Sequence, residues 1–166
     1  MDTANLQTLL LKFEGRIGPN SLMQGTVAVF ALAVIIQLLS LVLPFIGIIG
    51  LALLFPLFCL YAKRLHDGGK PAIWTLAVLG GVFVGGMVLS AVLTPIVVGD
   101  VVAAALRGEN MTGMGFRIKV VLLGIVNAAI IYFGAAFIVN QLVKSDAGEN
   151  AYGPPPADAT SINPMG

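Results

Sequence analysis

Four long apolar runs, separated by short polar segments, are the feature that most restricts how this chain can fold. They cover residues 22–43, 45–62, 72–98 and 120–143. A helix needs about 20 apolar residues to cross the hydrocarbon core of a bilayer, and the runs approach or exceed this length. Only 10% of the residues are charged, against about 25% in an average soluble domain. The sequence therefore predicts an all-α membrane protein, with one four-helix transmembrane domain at 1–144 and a polar cytoplasmic tail at 145–166.

The segments outside the four runs predict two further features. Leu6, Leu9, Leu10 and Phe13 share one face at helical spacing, which is typical of an amphipathic helix at the membrane interface or against the bundle. The first twenty residues are too polar for a signal-peptide core, so we expect the N-terminus to be retained. The tail contains three consecutive prolines at 154–156, which favour an extended polyproline conformation.

Rare and charged residues are concentrated between the second and third runs. Residues 63–74 hold three of the nine basic residues, the only histidine and the only tryptophan. Asp67–Gly69 supplies turn residues, since glycine adopts positive φ without steric cost, and Lys70–Pro71 is typical of a helix start. Trp74 suits the membrane interface. The segment therefore predicts a tight turn at the membrane surface.

The distribution of basic residues predicts an orientation. Four crossings place both termini and the 63–74 segment on the same side of the membrane. The basic residues on that side are Lys12, Arg16, Lys63, Arg64, Lys70 and Lys144. Those on the other side are Arg107, Arg117 and Lys119. Because cytoplasmic segments carry an excess of Lys and Arg, we expect both termini in the cytoplasm.

Three short segments form an ordered set of motifs. They are Phe13–Ile17 (FEGRI), Arg64–Lys70 with Trp74 (RLHDGGK…W) and Gly148–Pro156 (GENAYGPPP). They resemble the F-x-G-R-I opening, the R-R-L-H-D-x-G-[RK]-S-G-W-W core and the closing G-x-N-x-Y-G-x-x-P of one family of small bacterial inner-membrane proteins, domain of unknown function 805. The chain departs from the core with Lys63 for the first arginine, Pro71–Ala72 for Ser-Gly and Ile73 for the first tryptophan. The resemblance implies a bundle in the bacterial inner membrane and no established reaction.

On the predicted topology the three motifs lie on one face of the membrane, where their side chains can converge on a binding face. The candidate residues are Arg16, Arg64, His66, Asp67, Lys70, Trp74, Asn150 and Tyr152. In a structural interpretation Asp67 pairs with Arg64 or Arg16, His66 bonds a backbone carbonyl and the tail folds over the turn, since partly buried charge needs partners. In a second interpretation the basic residues hold an anionic lipid headgroup.

The sequence gives little support to catalysis or metal binding. His66 and Asp67 are adjacent in a predicted turn, where neighbouring side chains seldom face one another, and no second histidine or nucleophile motif accompanies them. Cys59 is the only cysteine, and no Cys/His spacing matches a metal site. The net charge of +1 lacks the basic footprint of nucleic-acid binding. We therefore expect no enzymatic activity, no metal and no cofactor.

Small residues in the third run predict close helix packing, within this chain or between copies. The residues concerned are Gly81, Gly85, Gly86 and Ser90. A transporter or channel is the alternative and would place Gln37 and Asn127 in a polar cavity, but the four runs contain no Asp, Glu, Lys, Arg or His. The sequence favours a scaffold, accessory or assembly subunit, with membrane lipids and a larger membrane complex or homo-oligomer as its partners.

Overall fold

The computed structural model describes residues 3–108 and 113–157. That part of the chain is helical and contains no strand. Its elements are α1 (Thr3–Leu11), α2 (Pro19–Leu39), a 3₁₀ helix (Pro44–Leu53), α3 (Leu54–Asp67), α4 (Trp74–Leu106) and α5 (Met114–Leu142). The segments long and apolar enough to cross a membrane are Pro19–Leu39, Phe45–Asp67, Trp74–Asp100 and Met114–Leu142. The predicted all-α fold with four membrane-spanning helices is confirmed.

The core of the bundle is formed by α2, α3 and α5. Leu22 and Val29 of α2, Leu57 and Leu60 of α3, and Ala136 of α5 are almost completely buried. Pro19 starts α2 because its missing N–H would have no partner in the first helical turn. These three helices therefore form the rigid frame that carries the polar residues at their ends.

The N-terminal segment forms a helix that packs against α3. This helix, α1, ends at Leu11, before Phe13, and the side chain of Leu9 is buried. The ring of Phe13 makes an edge-to-face contact with Phe58 of α3, with 6.4 Å between ring centroids. The amphipathic interfacial placement of α1 stays a prediction.

The helices α3 and α5 extend beyond the predicted apolar runs. The second run was expected to end at residue 62, but α3 continues through Lys63–Asp67, because Lys, Arg and Leu are good helix formers and the first glycine is Gly68. The turn is confined to residues 68–73, where Gly69 has the expected positive φ of +69°. The fourth helix begins at Met114 rather than at 120, since the basic residues there do not oppose helix formation.

Helix α4 lies at the edge of the bundle. It packs against α5 and the end of α3, and among its described side chains only Thr75 and Val98 are buried. Its backbone departs from helical geometry at Val98, three residues after Pro95. Most of the α4 surface is therefore free to contact lipid or another protein.

Candidate functional site

Asp67 is a fully buried carboxylate held between two arginine side chains. Its Oδ1 accepts hydrogen bonds from Arg16 Nε at 3.1 Å and Nη2 at 2.9 Å, and its Oδ2 accepts from Arg64 Nη1 at 2.5 Å. Each arginine side chain is only 1% exposed. The sequence predicted one arginine partner or the other, and the structure has both.

Arg64 connects the end of α3 to α5 and α2. Its Nε donates to Asn140 Oδ1 at 2.9 Å, while the Asn140 amide donates to Pro19 O at 3.2 Å. Its Nη2 donates to Val143 O at 2.5 Å and its Nη1 to Ser145 Oγ at 3.1 Å. A cation at the C-terminal end of α5 also interacts favourably with the helix dipole. The guanidinium thus joins the ends of α3 and α5, and Asn140 extends this connection to the start of α2.

Arg16 holds the C-terminal tail. Its Nη1 donates to Gly148 O at 2.8 Å and to Gly153 O at 3.0 Å, and its Nη2 donates to Asp146 O at 2.6 Å. The Asp146 backbone N–H donates in turn to Asp67 O at 2.8 Å. The tail therefore folds over the end of α3, and its loop closes through the Asn150–Gly153 bridge.

His66 and the two polar residues of the tail complete the cluster. The His66 Nδ1 bonds Gly15 O at 3.1 Å, and its ring stacks on Tyr152 with 3.9 Å between centroids and 2° between planes. Asn150 Nδ2 donates to His66 O at 3.0 Å and to Asp146 Oδ2 at 2.9 Å. The imidazole and the Asp67 carboxylate thus have separate partners. We call Arg16, Arg64, His66, Asp67, Asn150 and Tyr152 together the clasp.

Lys63 has a role that the sequence did not predict. Its Nζ donates to Thr8 O at 2.8 Å and to Leu9 O at 2.5 Å, carbonyls in the last turn of α1. A lysine at this position satisfies carbonyls that lack an intrahelical partner. The ammonium group therefore fastens α1 to α3. The only sequence signal was a basic residue at the end of an apolar run.

Lys70 and Trp74 are not part of the clasp, although the sequence placed them on the same face. Both side chains are exposed, and the Lys70 amine has no hydrogen-bond partner among the described residues. They lie at one end of an apolar groove of about 640 Å³ between α4 and α5. The predicted binding face is thus divided into the clasp, whose charged groups are paired, and a separate groove.

The predicted packing residues of α4 differ in what they contact. Asn127 Nδ2 of α5 donates to Ser90 Oγ at 2.5 Å and to Gly86 O at 3.3 Å. A Cβ at Gly85 would lie 3.5 Å from Ile131 Cδ1, whereas one at Gly81 would meet no atom within 4 Å. Three of the four residues therefore pack within the chain, and Gly81 borders open space.

Replacing Gly68 with alanine is expected to lower the free energy of unfolding by about 1–3 kcal/mol through overpacking. The new Cβ would lie 2.7 Å from Val143 Cγ1 and 2.9 Å from Lys144 O, and that backbone is fixed beside the clasp. Gly115→Ala is the control, because its Cβ enters open space near the start of α5. The control should raise stability by about 0.5–1 kcal/mol, the usual difference between Gly and Ala in a helix. Thermal unfolding in detergent measures both, and shifts of the same sign would contradict the prediction.

The four apolar helices define an integral, multi-pass membrane protein. Comparisons of the chain with protein-family profiles, with curated proteins and with solved structures gave no match. The resemblance to the family of domain of unknown function 805 therefore stays a prediction carried by its three motifs.

Proposed function

We propose that the protein is a non-catalytic membrane subunit that acts as a scaffold, accessory or assembly component. The observation that supports this proposal best is that the charged groups of the clasp already have partners within the chain. The charged groups of Arg16, Arg64 and Asp67 are buried and bonded to one another and to the backbone. A substrate could reach them only by displacing bonds that hold the fold together. We therefore assign the clasp a structural role.

Helix α4 offers a surface for a partner. Exposed residues recur at helical spacing along one side, which we call the outer face of α4: Leu76, Gly80, Phe83, Met87 and Ala91. A Cβ at Gly80 would meet no atom within 4 Å, so a neighbouring helix can approach the backbone there. We propose that this face packs against a second copy or another subunit of a larger complex.

We place the protein in the bacterial inner membrane with both termini in the cytoplasm. The motif resemblance supports the choice of membrane. The excess of basic residues on the side of the clasp supports the orientation.

The alternative of a transporter or channel has less support. It needs a polar cavity that joins Gln37 and Asn127 near the middle of the membrane. The Asn127 amide is engaged by Gly86 and Ser90 between α4 and α5. Gln37 lines a small cavity of about 200 Å³ that Asn127 does not border.

Purification in mild detergent tests the proposed assembly. We expect the wild-type protein to elute as an oligomer or with a co-purifying protein, and Gly80→Leu to dissociate it by filling the outer face. Gly81→Leu, the same change one residue along the helix, is the matched control and should leave the assembly intact. Size-exclusion chromatography with light scattering reports the masses. A strictly monomeric wild type without a co-purifying protein would contradict the proposal.

A further inference from the structure

We propose that the groove between α4 and α5 binds one anionic phospholipid, with the headgroup phosphate on Lys70 and an acyl chain along the groove. This inference does not depend on the proposed assembly role. It rests on the apolar groove, its position in the membrane and the unpartnered cation at its end.

The groove is an open channel between two helices. Gly81 of α4 and Gly134 of α5 both line it, and a Cβ at either would meet no atom within 4 Å. Apart from Lys70 and Trp74, its other lining residues are aliphatic, among them Val78 and Ile131. The volume of about 640 Å³ falls within the roughly 300–1,000 Å³ typical of small-molecule sites. The glycines thus create a space that their own chain does not fill.

The position of the groove determines the chemistry of its occupant. Its helical walls belong to Trp74–Asp100 and Met114–Leu142, two of the membrane-spanning segments. A groove at this depth faces hydrocarbon. An acyl chain can therefore bind in it without removing water from polar groups. An apolar chain therefore fits the walls, and the polar part of the ligand must lie at an end of the groove.

The end beside the clasp carries the charge. Lys70 lines the groove there, its side chain is exposed, and its amine has no partner among the described residues. Arg16 and Arg64, the neighbouring cations, are already bonded to Asp67. Basic groups between transmembrane helices attract anionic headgroups. Trp74, also in the lining, suits the headgroup level of the bilayer.

The same charge argues against a second copy in the groove. Symmetric dimers use one surface patch on both subunits. Two copies joined through this groove about an axis along the membrane normal would bring Lys70 of each to the same depth beside the other. Like charges at close range oppose association, whereas an anionic headgroup neutralises the lysine.

Native mass spectrometry of the full-length protein in detergent, titrated with phosphatidylglycerol or phosphatidylcholine, tests the proposal. We expect the wild-type protein to retain phosphatidylglycerol in preference to phosphatidylcholine. Lys70→Ala should weaken this binding about fivefold, the loss expected for one basic contact. Lys144→Ala is the control, since this exposed lysine does not line the groove.

Variants that fill the groove test the position of the acyl chain. Gly81→Leu should weaken phosphatidylglycerol binding by about tenfold, the order of an overpacking cost. Gly80→Leu is its matched control because Gly80 lies outside the lining, and it should bind as the wild type does. Gly134→Leu fills the groove from α5 and replaces Gly81→Leu in this test if Gly81→Leu does not fold.

Two results would overturn the inference. One is the absence of either expected difference in lipid binding. The wild type would retain phosphatidylglycerol and phosphatidylcholine equally, or every groove-filling variant that folds would bind phosphatidylglycerol as tightly as the wild type does. The other is dissociation of an oligomer by Gly81→Leu with lipid binding unchanged, which would assign the groove to a second copy. The assembly proposal is tested separately, by the mass of the wild-type protein and by whether Gly80→Leu dissociates the assembly.

Discussion

Asp67→Asn is expected to lower the free energy of unfolding by about 3–5 kcal/mol, the range for breaking a buried ion pair by removing one partner. The asparagine keeps the shape of the side chain but not its charge. Arg16 and Arg64 would then remain buried, each 1% exposed, without the carboxylate that neutralises them. Chemical or thermal unfolding in detergent, followed by far-UV circular dichroism, measures the loss.

Asp100→Asn is the matched control for this experiment. Asp100 pairs with Lys119 at 2.6 Å, but the two side chains are 67% and 41% exposed. Water and salt screen such a pair, so its removal should cost less than about 1 kcal/mol. A similar, small loss in both variants would show that Asp67 does not neutralise the arginines as the structure indicates.

The four helices were predictable because their signal is local. A run of about 20 apolar residues in one stretch leaves few alternatives to a membrane helix. The end of α3 was missed because the local hydropathy signal and the helix itself end at different residues. Hydropathy falls at Lys63, but helix propensity does not fall until Gly68. Hydropathy averaged over a sequence window therefore indicates where the apolar run ends rather than where the helix ends.

The candidate site was predictable only in part, because its contacts join distant segments. The motifs indicated that Arg16, Asp67 and the tail could meet, and the topology placed them on one side. Nothing local marked Asn140 as the acceptor for Arg64, since a single amide in an apolar run has many possible partners. Nor could spacing show that Lys70 points to a groove, because the groove exists only when α4 and α5 pack.

Arg16→Lys is expected to release the tail while the transmembrane bundle stays folded. Lysine keeps the charge beside Asp67 but replaces a planar five-donor fork with three donors on one nitrogen. One ammonium cannot reach the carbonyls of Asp146, Gly148 and Gly153 together with the carboxylate. Hydrogen bonds to charged groups contribute about 1.5–3 kcal/mol each, so losing one raises the population of the released tail by about tenfold or more.

Cleavage by a glutamate-specific protease measures that population. Glu149 is exposed and lies between Gly148 and Gly153, two of the carbonyl positions that Arg16 holds. When opening is fast relative to cleavage, the rate follows the fraction of molecules in which the loop is released. Mass spectrometry identifies the cut after Glu149, and Lys12→Ala, a change at an exposed residue of the same segment, should leave its rate unchanged. Equal rates in the wild type and Arg16→Lys would mean that the tail is held by Asn150 and Tyr152, through His66, and that the guanidinium fork is dispensable.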